Sequence, residues 1–97
     1  MLMVLGLLRI RLRFVAHSRK EKRALVKSVV ERLRHRYNAA VSEAADLDAL
    51  DLTTIAVVCL AHDASHADSQ LQNISRAVEG WRLDAEVVDI ETELISV

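Results

Sequence analysis

Three groups of residues have types and spacings that could do chemistry. Cys59, His62 and His66 form a C-x2-H-x3-H spacing across what reads as a strand-to-helix turn. Three such ligands with an open fourth position suit zinc. Cys59, however, sits in a continuous apolar run, and His66 falls in the first turn of a helix capped by Asp63, so the sequence predicts no metal site.

Arg9, Arg11 and Arg13 occupy alternate positions near the start of the chain and could track phosphates. Asp89, Glu91 and Glu93 repeat that spacing near its end. Antiparallel pairing at a constant residue-number sum of 102 sets Arg9 against Glu93, Arg11 against Glu91 and Arg13 against Asp89. The same register faces Leu8 with Leu94 and Leu12 with Ile90. Cross-strand ion pairs of this kind contribute roughly 0.2–1 kcal/mol each, and a structural role is the expectation for these arginines.

The third group is Ser18-Arg19-Lys20-Glu21-Lys22-Arg23, followed by Lys27. Ser18 and Glu21 have capping-box spacing: the hydroxyl accepts from the N–H of Glu21, and the carboxylate reaches back to the N–H of Ser18. A helix's first turn carries partial positive charge and favours acids, yet four cations crowd this one against a single glutamate. Local rules tend to be broken at functional sites. Arg19, Lys20, Lys22, Arg23 and Lys27 are therefore candidates for binding an anion, most naturally the phosphates of RNA. The competing account is a solvated basic face, with His17 and His35 exposed at its borders.

Other chemistry is missing from the pattern. The two glycines, Gly6 and Gly80, stand 74 positions apart, so no phosphate-cradling loop is available. No nucleophile elbow or carboxylate dyad is recognisable. Phe14, Tyr37 and Trp81 are all claimed by the core or its ends, which leaves no stacking platform for bases. The expectation is a protein that is not an enzyme and uses no cofactor. If it binds RNA, it does so through charge and shape.

The elements that position these groups follow from periodicity. Residues 2–14 alternate: Leu2, Val4, Gly6, Leu8, Ile10, Leu12 and Phe14 point to a core, opposite Met3, Leu5, Leu7 and the three arginines. Gly6 on the core side implies a helix backbone passing close by. From Ser18 to Arg36, Leu25, Val26, Val29, Val30 and Leu33 recur at helical intervals, with Tyr37 completing the stripe. Tyr37 to Ala44 is a weakly patterned edge strand, residues 45–51 an acidic connection, and Leu52 to Ala61 a doubly covered central strand. Ala64, Ala67, Leu71, Ile74, Val78 and Trp81 stripe a second helix, which Gly80 would close. Residues 86–95 alternate again, Val88, Ile90, Thr92 and Leu94 against the acids.

The order β-α-β-β-α-β is that of a split βαβ, ferredoxin-like α+β sandwich. It predicts a four-stranded sheet in the order 4-1-3-2 with both helices on one face, the first and third strands central and parallel, and the last antiparallel to the first. Ninety-seven residues suffice for a single domain spanning 1–97. The lone cysteine excludes an internal disulfide and suits a reducing compartment. The apolar start lacks a basic n-region and a cleavage site and is too short to span a bilayer, so no membrane association and a cytoplasmic location are expected. Net charge is −1, but residues 9–36 carry eleven basic and two acidic residues, a local +9, against −10 elsewhere. Such asymmetry suggests a basic surface that meets something acidic.

The start Val4-Leu5-Gly6-Leu7-Leu8-Arg9-Ile10, the Ser18 to Arg23 run, Arg32-Leu33-Arg34-His35-Arg36-Tyr37-Asn38, Val41-Ser42-Glu43, Ile55 to Val58 and the acidic last strand together resemble the YlxP-like family of small bacterial proteins, a domain of unknown function. The resemblance covers nearly the whole chain. It implies a ferredoxin-like fold and, because genes of the family tend to lie beside genes for translation factors, a connection to RNA or the ribosome. The family supplies no established catalytic residues. Two functions are thus expected as alternatives. One is a non-enzymatic RNA- or ribosome-associated module using the basic helix. The other is a homo-oligomeric interaction or regulatory domain that pairs through its open sheet face at Met3, Leu5 and Leu7 and could hold a small ligand there.

Overall fold

The computed structural model describes residues 3–81 and 85–97; Leu2, expected on the core face of the first strand, lies outside them. Strand β1 (Val4–Phe14) leads through helix α1 (Arg19–Arg36) to β2 (Ala40–Ala45) and β3 (Leu52–Ala61). Helix α2 (Ala64–Gly80) and strand β4 (Ala85–Ser96) complete the chain. The sheet order is β2-β3-β1-β4, the ferredoxin-like arrangement that the alternation implied. Every even position of β1 is buried, and Leu8, Ile10 and Leu12 join Val29 and Leu33 of α1 and Leu71 and Ile74 of α2 in one cluster. Both helices therefore cover the same face, and the other face is open.

β1 and β3 are neighbours but antiparallel, with Leu5 opposite Leu60 and Arg9 opposite Ala56, which corrects the parallel expectation. The reason is connectivity. The helix returns the chain so that β2 runs with β1; the tight β2–β3 reversal then turns β3 against both.

β1 and β4 pair antiparallel two residues away from the sequence-derived register. Arg9 faces Glu91, Arg11 faces Asp89 and Ile10 faces Ile90; beyond a bulge, Leu12 faces Val87 and Arg13 faces Glu86. A slip of two preserves the face of every side chain, so alternation alone could not distinguish the registers. The bulge leaves Val88 unpaired and 39% exposed, and Val87 takes the core-facing place expected of Val88.

Local chemistry sets the helix ends. The Ser18 hydroxyl accepts from the N–H of Glu21 at 3.1 Å, as the capping box requires. The Glu21 carboxylate reaches one residue further than expected, accepting from the N–H of His17 at 3.0 Å. Asp63 caps α2 by accepting from the N–H of His66 at 2.7 Å. Gly80 is the last residue of α2 and has no left-handed conformation; the chain leaves at Trp81 in an extended conformation (φ −72°, ψ 140°). The half-buried Trp81 instead anchors the helix end, with the Arg32 guanidinium 4.1 Å from its ring centroid. Tyr37 ends α1 rather than beginning β2.

Gly6 does make room for α2, through a side chain rather than backbone. A Cβ at Gly6 would lie 3.1–3.2 Å from three carbons of Leu71, which is fully buried and has little space to yield. We expect Gly6→Val to lower stability by about 1–3 kcal/mol in urea denaturation. The penalty should shrink in a Leu71→Ala background, where the opposing carbons are gone. Equal penalties in both backgrounds would remove Leu71 as the cause.

Candidate functional site

Two surfaces come out of this frame: the outer side of α1 and the open face of the sheet. On α1, Arg19, Lys20, Arg23 and Lys27 are exposed. Lys20, Arg23 and Lys27 follow i, i+3, i+7 spacing and so share one side of the helix over about 10 Å. The nearest acid in an ion pair is Glu31, 3.9 Å from Lys27, with both side chains more than 60% exposed. A pair so exposed contributes little, and Lys preceding Glu is the weaker order on a helix. Further along α1 the cations are committed to structure: Arg32 to Trp81, and Arg34 through Nε and Nη2 (3.2 and 2.7 Å) to the Val41 carbonyl on the edge strand β2.

Lys22 does not belong to that surface. It is 5% exposed and points inward, where its ammonium donates to the carbonyls of Asp46 (2.6 Å) and Leu47 (3.2 Å) and lies 3.4 Å from Glu43. Position 22 falls on the same side of the helix as Val26, Val29 and Leu33, so the apolar stripe continues into it. The helix N-terminus also differs from an open anion site, because the Ser18 hydroxyl already accepts from the N–H of Glu21 and the Glu21 carboxylate, bonded to the N–H of His17, sets a negative charge beside it. What remains for an external anion is the side of the helix, not its end.

The inward Lys22 meets a residue that the sequence presented only as part of an acidic connection. Asp46 has φ 62°, and is the one non-glycine residue with positive φ among those described. Aspartate is among the few residues that tolerate that region, the only sequence signal it gave. Its carbonyl serves Lys22 on the helix side. Its carboxylate, on the open face, accepts from the Thr54 hydroxyl at 2.6 Å and from Arg11 Nε and Nη2 at 3.2 and 3.3 Å. The Thr54 hydrogen bond, opposed by burial and aided by the Arg11 contacts and by Lys22, holds the Asp46 carboxyl below its ordinary value of 3.8. Glu43 completes the tie by accepting from the buried Thr53 hydroxyl at 2.7 Å.

Of the three arginines on β1, Arg9 reaches both Glu93 (3.2 Å) and Glu91 (3.7 Å), Arg11 pairs with Asp46 rather than with an acid of β4, and Arg13 makes no ion pair among the described residues. The other end of the same face is apolar. Met3 (43% exposed), Leu5 and Leu7 of β1 lie beside Val58 and Leu60 (60% exposed) of β3 and Ile95 (37% exposed) of β4. Leu60 and Val58 were implicit in the doubly apolar third strand; only pairing shows them beside Leu5 and Leu7.

Cys59 faces the core, where burial pushes its thiol above the ordinary range, while His62 and His66 stack on each other at the surface with ring centroids 5.4 Å apart. Strand alternation thus separates the cysteine from both histidines. Among the described residues no group of three metal-ligating side chains converges. None of the helices among them is long and apolar enough to cross a membrane.

The family of the chain is carried by these same elements: the model of a family described as a protein of unknown function, DUF503, matches residues 5–92. The chain belongs to the DUF503 family. No curated protein matches it. The match to DUF503 runs from β1 into the acidic part of β4 and includes α1, Asp46 and the apolar strand β3.

Lys22→Ala should cost about 2–3 kcal/mol in chemical denaturation, because two carbonyls and Glu43 lose their cation. The figure lies below that for a fully buried pair because the Glu43 side chain keeps 20% exposure. A loss typical of an exposed lysine, under about 0.5 kcal/mol, would contradict the inward placement. Asp46 adds a pH dependence. Its folded pKa lies below its unfolded value, so its stabilisation is fully present above pH 3.8 and is lost as pH falls through the folded value. Asp46→Asn should therefore be less stable than the wild type near neutrality, with the difference narrowing as the pH is lowered below 3.8. A difference that stays constant through acid would rule out the carboxylate as its source.

Proposed function

We propose that this protein is a non-enzymatic, cytoplasmic module that associates with RNA or the ribosome through the side of α1, and that it is a YlxP-like member of its family. The observation that carries this reading is the exposed row Lys20, Arg23 and Lys27, with Arg19 beside it and, among the described residues, only the loosely held Glu31 in an ion pair with it. Phosphate backbones are the natural counterpart of such a row, since each neutralised phosphate releases condensed counterions. Lys22 has no part in it, because its charge is spent inside the fold. Arg9 and Arg11 have none either, because Glu91, Glu93 and Asp46 neutralise them. A surface of this kind holds a nucleic acid by charge and shape and reads little sequence.

Binding of a structured RNA, measured at low and moderate salt, tests the proposal. Wild-type affinity should fall steeply with salt. Lys20→Ala/Arg23→Ala should bind more weakly, with the slope of log affinity against log salt reduced by about 2, one for each lost phosphate contact. The urea midpoint should stay within the range of surface substitutions, since neither side chain lies on the buried side of α1. Equal affinity of the two proteins, or no binding at low salt, would return α1 to an ordinary solvated surface.

A further inference from the structure

The open face of the sheet is half apolar, and its charges are distributed unevenly among the strands. β1 carries Arg9, Arg11 and Arg13 there, and β4 carries Glu86, Asp89, Glu91 and Glu93. β3 alone among the longer strands presents an uncharged row from end to end: Leu52, Thr54, Ala56, Val58 and Leu60. β2, beside it, presents the small residues Ala40, Ser42 and Ala45. Rows run across the sheet in register: Leu7 with Val58 and Ala40, Arg9 with Ala56 and Ser42, Arg11 with Thr54 and Ala45.

We propose that this face is covered by a second copy of the chain, related by a two-fold axis that runs along β3. Such an axis keeps each row level with itself, lays β3 on β3, and lays β1 of each copy on β2 of the other. Large then meets small, since Leu7 comes over the second copy's Ala40. Arg9 and Arg11 come over Ser42 and Ala45, keeping their own acids. The acidic strand β4 overhangs the contact and stays in water. Charge excludes the neighbouring axes. One along β1 would set Arg9 on Arg9 and Arg11 on Arg11, and one along β4 would set Glu91 and Glu93 on themselves. One between β1 and β3 would lay the acidic strand β4 of each copy on β2 of the other, covering Glu91 and Glu93 that the axis along β3 leaves in water. A lipid surface fits less well, because the apolar end is flanked by paired charges of both signs instead of a basic rim. The strands that overlap cover about 350 Å² of sheet plane per copy, from strand spacing and rise. Over both copies that is about 700 Å², below the range of stable specific interfaces and within that of weak, transient ones, so the dimer should dissociate at roughly ten micromolar or above.

Ala56 lies beside the axis and faces its own counterpart. At about 100 μM protein, sedimentation should give a dimer of the 10.9 kDa chain. Ala56→Lys and Ala56→Glu should each sediment as monomers with native far-ultraviolet circular dichroism. Mixing the two should restore a heterodimer, because opposite charges then meet at the axis. A wild-type monomer at that concentration overturns the proposal. So does a dimer indifferent to both substitutions, a mixture that stays monomeric, or wild type that remains monomeric and binds neutral phospholipid vesicles through this face.

Discussion

The inward turn of one lysine fixes both surfaces of this protein. Lys22 sits in the first turns of a helix whose other cations face water, and its ammonium is held by two carbonyls and Glu43. That attachment sets the rotation of α1 about its own axis. With position 22 inward, Val29 and Leu33 meet the sheet while Lys20, Arg23 and Lys27 face out. It also holds the β2–β3 turn, because one of the two carbonyls belongs to Asp46 in its left-handed conformation. That conformation costs free energy, of order 1–3 kcal/mol, and persists because both ends of the residue are tied: its carbonyl to α1, its carboxylate to Thr54 and Arg11.

The same tie divides the chain's charge. The basic and acidic stretches of the sequence nearly cancel in sum, but they do not cancel everywhere. Two arginines of β1 are neutralised on the open face, one by the acidic last strand and one by Asp46. Arg32 and Arg34 are engaged by Trp81 and by the edge of β2. The edge strand gains from this, since an arginine on its outward carbonyl discourages pairing with another chain. The positive charge left in water is concentrated on the side of α1. The neutral part of the open face is concentrated on β3. Charge and apolarity are thus offered on opposite sides of the molecule, so a polyanion and a second copy would not compete for one surface.

Much of this was legible in the amino-acid sequence. Period-two alternation in residues 4–14 determined one strand and its core face, and the apolar run at 52–61 determined a second strand that was expected to be covered on both faces but is covered on one. Helical spacing and the caps Ser18 and Asp63 determined where the helices begin, because those signals are local and each involves residues a few positions apart. Their order then left one sheet topology as the natural solution. The doubly apolar third strand already implied an exposed apolar surface.

Tertiary structure alone decided the rest, because it depended on contacts between residues far apart in the chain. From Val4 to Arg11 the β1–β4 register slipped by two, which alternation cannot detect since side chains there keep their faces; the bulge beyond it, which exchanges Val87 for Val88, left no local signal. Arg11 chose Asp46, 35 positions away, over the acids opposite it. Lys22 looked like one more surface cation. Its helical position matched the apolar stripe, but the carbonyls of the β2–β3 turn and the Glu43 carboxylate, all distant in sequence, are what offset its burial. Cys59 and the two histidines share a ligand-like spacing, yet the pleat of β3 sends the thiol into the core and leaves both imidazoles in water. Spacing along the chain says which groups could meet; the pleat and the rotation of a helix about its axis decide which of them do.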